Sequence, residues 1–336
     1  MSSENLSYIS IYSTDVPEII GELLKTPEMQ RLSGIGMHCG CEYAGFQAYK
    51  KERHTYTRLI HSAGMSRIVW HFTRDIKQAV AGLLHDIAAP VFSHTIDFMN
   101  GDHMSQESTE GNTRAVIENS VSIMALLDKH RIKIEEVADY HKYPIADNDT
   151  PMLSADRLEY SLGNGYLLFN TELEQIQGMY DDLTVAENEY GIPELSFRSV
   201  DIAKAFAQMA LRNSRFYVAD EERFSMQYLA EIVRNAINLG VLTPEDLYTT
   251  ENEVIEKLKN NKETFDSWDK YTGISAVSKS PGVLCDRYCV NVNAKKRYID
   301  PLALTGDGAK RVSKIDPSIK DDIASFLETD FNYWLY

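Results

Sequence analysis

The sequence predicts a mainly α-helical protein with a small C-terminal segment that contains β-strands. Three observations carry this. Apolar residues recur at three- and four-residue spacing through most of the chain up to about residue 275, the period of a helix with one buried face. Ser, Thr, Gly and Pro stand where such helices would start and stop. Beyond that point the texture becomes alternating and rich in Val, Tyr and Ile, which is the period of a strand. The chain therefore divides into a helical body, residues 1–275, and a small α+β segment, residues 276–336, packed on it.

Taken in order, HSAGMSRIVWHFTRDI reads as a helix with His61 near its N-terminal end. DIKQAVAGLLHDIA places Ile76, Ala79, Val80, Leu83, Leu84 and Ile87 on one face. Pro90 stops this helix, because proline lacks an amide donor and clashes with the preceding turn. His85 and Asp86 are thus expected in its last turn. VIENSVSIMALLDKH reads as a further helix, and SADRLEYSLGNGYL as another, with Ser154 as N-cap two residues before Asp156. SVDIAKAFAQMALRNSRFYV and EERFSMQYLAEIVRNAINLG are long helices, the second ending at Gly240. TPEDLY starts the next, with Thr243 as cap and Pro244 in the first helical position. DRYCVNVNAKKRYID reads as one or two strands, GDG at 306–308 as a turn, and the aromatic FNYWLY as a tail packed on the body.

Composition narrows the function classes. With 336 residues the chain can bury a substantial core. A net charge of −16 argues against nonspecific nucleic-acid binding, which needs clustered Lys and Arg facing phosphates. It permits a small phosphorylated substrate where a bound ion supplies local positive charge. Two basic stretches, AKKRY and GAKRVSK, read first as solvated surface and second as a phosphate-binding patch at a subunit interface. The opening MSSENLSYISIYSTDVPEII has neither the basic start nor the apolar core of a signal peptide. No apolar run reaches the roughly 18 residues that span a bilayer. The expectation is a cytoplasmic protein without a membrane partner. Cys39, Cys41, Cys285 and Cys289 read as free thiols, since C-x-C and C-x-x-x-C are not the spacing of a structural zinc site.

All nine histidines lie between His38 and His141, which concentrates metal and proton chemistry in the N-terminal half. His61, the pair His85-Asp86 and the later Asp156 together suggest a divalent-metal site. Imidazole nitrogens and carboxylate oxygens suit Mn, Fe, Zn and similar ions, and two of each leave positions open for water and substrate. An Asp on a core helix is costly unless paired or coordinated. Arg58, three residues before His61, presents a guanidinium that suits either a phosphate or a structural carboxylate. His94 is a candidate substrate contact or proton donor, and His54 a candidate for the pocket's flank.

The segments TPEMQRLSGIGM, TRLIH, LLHDIAAPVFSH and SADRLEY resemble the HD superfamily of metal-dependent phosphohydrolases, nearest to the branch containing deoxynucleoside triphosphate triphosphohydrolases. The resemblance runs from about Thr26 to Tyr160 and continues more faintly through KAFAQMALRNSRFYVADEERFSMQYLAEIV and TPEDLYTTENEVIEKL. It implies an HD-domain helical bundle that forms homo-oligomers. It further implies metal ligation by His61, His85, Asp86 and Asp156, and a phosphate or sugar contact from Arg58. His94 and Tyr160 would have pocket roles, and Glu107 a catalytic one.

Three positions depart from the family pattern. Ala89 stands where the family carries His or Glu, Gln106-Glu107 where it often has His-Glu, and Asn164 in place of an aspartate. Ala89 can neither transfer a proton nor hold a phosphate, so it is expected to line the substrate pocket and leave proton transfer to His94, Glu107 or a water. The function expected is a metal-dependent phosphohydrolase cleaving a phosphate ester or anhydride of a small metabolite, a nucleotide or deoxynucleotide first. The ion would be Mn, Mg, Fe, Ni, Co or Zn. The alternative is a nucleotide-binding regulator that retains the cage with little turnover. A di-iron oxygenase ranks last, because further His ligands are not evident.

Overall fold

Helix-forming sequence builds most of the molecule, seen here as a computed structural model that describes residues 8–51, 56–105 and 110–336. Among these residues fifteen α-helices accompany one four-stranded sheet and one two-stranded pair, so the fold is mainly α. The helices that matter most for the site are α1 (Arg58–Thr73), α2 (Ile76–Leu84), α3 (His94–Asn100) and α4 (Ala155–Leu167). Two long helices, α5 (Val200–Tyr217) and α6 (Asp220–Asn238), and the shorter α7 (Glu251–Lys259) pack around them.

Local chemistry sets the ends of these helices. The Thr57 hydroxyl caps α1 by accepting from the Ile60 amide, and Asp75 caps α2 by accepting from Lys77 and Gln78. Ser154 accepts from the Arg157 amide, as its place before Asp156 predicts. Gly240 lies just past the end of α6 with φ +70, the left-handed conformation that glycine adopts without strain. Two expectations need correction. The segment read as one helix at 116–130 is two, Thr113–Asn119 and Val121–Lys129, because Ser120 leaves helical geometry to cap the second through the Ile123 amide. His85 is the C-cap of α2, with helical φ and ψ, and Asp86 is in the turn beyond it.

Strands β1 (Leu183–Glu187) and β2 (Pro193–Phe197) form an antiparallel hairpin. β3 (Leu302–Thr305) then pairs parallel to β2, and β4 (Gly308–Arg311) antiparallel to β3. The C-terminal segment is thus hydrogen-bonded into the body's own sheet. The predicted turn at 306–308 joins β3 to β4. Residues 286–300 are not a strand as predicted. Val290 alone bridges Leu335, and the rest, which bends at Asp286 and Arg287, joins no ladder. The aromatic tail packs down, with Phe331 and Leu335 buried.

Buried side chains gather into two clusters. One surrounds α1, α2, α4 and α5 and includes Leu83, Leu84 and Ile87; the other surrounds α6 and α7 and includes Val91, Phe92 and Ile96. The chain crosses from one cluster to the other at Pro90, and the candidate site lies at that crossing. No helix among the described residues is long and apolar enough to cross a membrane.

Candidate metal centre

Three helix ends bring the four predicted ligands together. His61 is the fourth residue of α1, His85 ends α2, Asp86 follows it, and Asp156 lies in the first turn of α4. His61 Nε2 is 3.2 Å from His85 Nε2, 3.0 Å from Asp156 Oδ1 and 3.9 Å from Asp86 Oδ2. His85 Nε2 is 3.4 Å from Asp86 Oδ2 and 3.8 Å from Asp156 Oδ1. Two nitrogens and two oxygens therefore converge on one point. His61, His85 and Asp86 form a cluster with metal-ligand spacing, and Asp156 closes on it.

Tautomers decide whether these groups suit a divalent ion. His61 Nδ1 lies 2.5 Å from Glu159 Oε2, and His85 Nδ1 lies 2.8 Å from the Gly82 carbonyl oxygen. Both partners only accept, so both Nδ1 atoms carry the proton and donate. In the neutral rings, both Nε2 lone pairs then face each other across 3.2 Å beside two carboxylates. Such an arrangement is repulsive unless a proton or a cation sits among the four atoms, and the donor set suits a first-row or similar divalent ion. The residues fit the group.

Burial opposes charge throughout this cluster, yet the opposite charges outweigh it. Burial would raise Asp86, but Arg58, His85 and His61 hold it far below the ordinary carboxylate range. Asp156, also buried, is held low by its hydrogen bond with His61. Burial would lower His61, but its hydrogen bonds to Asp156 and Glu159 bring it up to about 10. Since a metal ligand must be an unprotonated imidazole, a proton and a divalent ion compete for His61 Nε2.

Arg58 is the first residue of α1, and its Nη1 donates to Asp86 Oδ2 at 2.6 Å while Nε donates to Ser93 Oγ at 3.2 Å. The structure therefore gives it a carboxylate partner inside the site. Ala89 and His94 line the same cavity as Arg58, His85 and Asp86. The backbone here is held tightly. Arg31 Nη2 donates to the Ile87 and Ala89 carbonyls at 2.8 and 2.9 Å, and Phe92 and Ser93 adopt φ +57 and +42. Two successive non-glycine residues in this region cost energy that the surrounding structure must offset. The Phe92 amide donates to the buried Glu251 carboxylate at 3.2 Å.

His94 Nδ1 is 2.9 Å from Asp97 Oδ2, one helical turn along α3, which leaves Nε2 for the cavity. Burial lowers this imidazole; the Asp97 hydrogen bond opposes, while Arg297 and Arg58 push the same way as burial. His94 is therefore neutral at pH 7. Tyr160 sits one turn past Asp156 on α4, its ring edge-on to Tyr217 at 6.1 Å. His54 and Glu107, with Gln106, lie outside the described residues. Among those described, the four cysteines are free thiols and join no ligand cluster.

Three residues of the site region escaped sequence reasoning. Glu159 and Asp97 each lie three positions after a predicted residue, Asp156 and His94, and that one-turn spacing was the available signal. Arg297 belongs to AKKRY; its charge bears on His94, Tyr160 and Tyr217 from three different helices.

No protein-family profile matches the chain. It is similar to the uncharacterized protein YdhJ of Bacillus subtilis, 26% identical over 307 residues, covering 90% of this chain and 89% of that protein. It is also similar to the metal-dependent phosphohydrolase cns2 of Cordyceps militaris, 29% identical over 169 residues, 49% of this chain and 46% of that protein. Two solved structures share the fold at 16% identity. A hypothetical protein from Aquifex aeolicus superposes with a TM-score of 0.65 over 95% of this chain and 92% of its own. A phosphohydrolase from Bacteroides thetaiotaomicron superposes with a TM-score of 0.66 over 96% of both.

Proposed function

We propose that this protein is an HD-type metal-dependent phosphohydrolase that cleaves a phosphate ester or anhydride of a small metabolite, a nucleotide or deoxynucleotide first. The observation that carries the reading is the convergence of His61 and His85 Nε2 with the Asp86 and Asp156 oxygens. Similarity to a protein named as a metal-dependent phosphohydrolase, and a fold shared with one named as a phosphohydrolase, support it. The nearest branch on motif grounds is the triphosphohydrolase-like one.

His61, His85, Asp86 and Asp156 would hold the ion. When bound, it supplies Lewis acidity toward a phosphoryl oxygen and activation of a water nucleophile. Arg58, fixed by Asp86 and Ser93, orients that carboxylate and leaves its remaining donors to the cavity. His94, aligned by Asp97 and neutral, is placed to accept a proton at Nε2 and return it to the leaving group. Arg297 adds positive charge on the side of Tyr160 and Tyr217. Ala89 contributes no proton donor to the wall it lines.

A product-resolved screen of nucleotides and simple phosphate esters, run with each divalent ion, tests the proposal. Release of phosphate, pyrophosphate or triphosphate is expected from at least one substrate. No release with any ion from metal-loaded protein would sink it. Ala89 in the cavity wall favours a second reading, a nucleotide-binding regulator. A nucleotide that raises Tm yet is recovered intact after long incubation would select that one.

A further inference from the structure

We infer that Glu159 is a positioning residue of the metal centre, holding His61 in the one tautomer that presents Nε2 to an ion, and that tyrosine hydroxyls from Tyr8 and Tyr56 hold Glu159 in turn. This rests on the metal-site reading above.

Glu159 is a fully buried carboxylate on α4, one turn beyond the ligand Asp156. A buried carboxylate is costly unless its lone pairs are matched, and here they are. Oε2 accepts from His61 Nδ1 at 2.5 Å and from the Tyr56 hydroxyl, while Oε1 accepts from the Tyr8 hydroxyl at 2.9 Å. The Tyr12 hydroxyl lies 2.6 Å from that of Tyr8 and extends the network. All three tyrosines are buried. Burial, with Glu159 next to it, pushes their hydroxyls well above the usual tyrosine range, so they remain donors.

Two glycines make room for this network. A Cβ on Gly64 of α1 would lie 2.6 Å from Glu159 Oε1, and one on Gly163 of α4 would collide with the Tyr56 hydroxyl. Gly64 thus lets α1 approach α4 closely enough for His61 to reach Glu159, and Gly163 leaves room for the Tyr56 ring. His85 achieves the same tautomer with a backbone carbonyl from its own helix, which no side-chain change removes. Only His61 depends on a replaceable side chain. The N-terminal segment, through Tyr8 and Tyr12, thereby becomes part of the support of the metal centre.

The test measures divalent-ion affinity of the full chain by chelator competition, for the wild type, Glu159→Gln, Tyr56→Phe and Tyr8→Phe. Nitrogen-15 NMR of the His61 ring is read alongside. Outer-shell partners of metal-bound histidines typically contribute about 10–100-fold in affinity. Glu159→Gln, whose amide can donate to Nδ1, should weaken binding by about that factor and lose the protonated Nδ1 signal. Tyr56→Phe and Tyr8→Phe should weaken it less and keep the tautomer. If Glu159→Gln does not fold, the two tyrosine variants decide, and wild-type affinity in both overturns the inference. Wild-type affinity in a folded Glu159→Gln also overturns it, and leaves the metal site standing. A wild-type chain that binds no divalent ion overturns the metal-site reading itself.

Discussion

The two walls of the candidate site, the ion cluster around His61 and the cavity side of Ala89 and His94, are built on opposite principles. On the His61 wall nearly every polar atom is committed: His61 to Glu159, Glu159 to two tyrosines, His85 to its own helix, and Asp86 to Arg58. On the His94 wall capacity is left over. Among the described residues no hydrogen bond takes the second ring nitrogen of His94, its side chain is 35% exposed, and the Ala89 side chain offers no polar atom. A closed, fully matched wall suits a small ion whose geometry must not vary. An open, partly exposed wall suits a substrate that enters and leaves. On the proposed function, the first wall binds the ion and the second transfers protons and neutralises charge.

The largest effect on the open wall should come from His94→Ala. With metal content unchanged, it should lower kcat by about 10²–10⁴-fold, the range of general acid–base catalysis, in assays on whichever substrate the screen identifies. A loss of ion together with activity would merge the two walls and break the comparison. Next comes Ala89→His or Ala89→Glu. Either should raise hydrolysis at least about tenfold, on the order of 1.4 kcal/mol of barrier, by placing a donor in the wall. If both variants fold, bind metal and show no gain on any phosphate ester, Ala89 is not a missing-acid position.

The fold and the closed wall were largely legible in the sequence, because their signals are local. The cap at Ser154 and the His-Asp dipeptide each lie within a few residues of what they control. Glu159 was hidden because a glutamate on a polar-looking helix reads as a solvent-facing residue until α1 is seen against it. The strand predicted at 286–300 failed for a different reason. Val292 and Ala294 are buried and their neighbours Asn291 and Asn293 exposed, so the period-two pattern is real. The segment's hydrogen bonds, however, go elsewhere: the Val292 carbonyl accepts from Arg223 and Lys295 donates to the Ser105 carbonyl. Alternating burial does not require a neighbouring strand. The same segment carries Arg297, whose charge acts on His94, a long-range effect that no local pattern signals.

Arg297→Ala sharpens the comparison further. A hydrogen bond from a charged group contributes about 1.5–3 kcal/mol where buried. This side chain is half-exposed, so the lower end applies, and KM should rise by about tenfold with kcat little changed. An unchanged KM would leave AKKRY as solvated surface. The smallest effect concerns pH. Burial holds His94 below its ordinary value while Asp97 raises it. Activity that needs neutral His94 is therefore present at pH 7 and lost as pH falls through that lowered value. Asp97→Asn removes the raising contribution, so the acidic limb of kcat/KM should move to lower pH; a shift to higher pH would contradict the dyad.

Metal content is the most direct measurement of the central claim. The purified full chain, loaded with a divalent ion and dialysed, should retain about one ion per chain, as a cage of two His and two Asp with open positions implies. His130→Ala, whose ring pairs with Glu22 outside the site, should retain the same amount. His85→Ala should retain none while keeping the wild-type helical circular dichroism. Equal ion content in folded His85→Ala and the wild type would contradict the account.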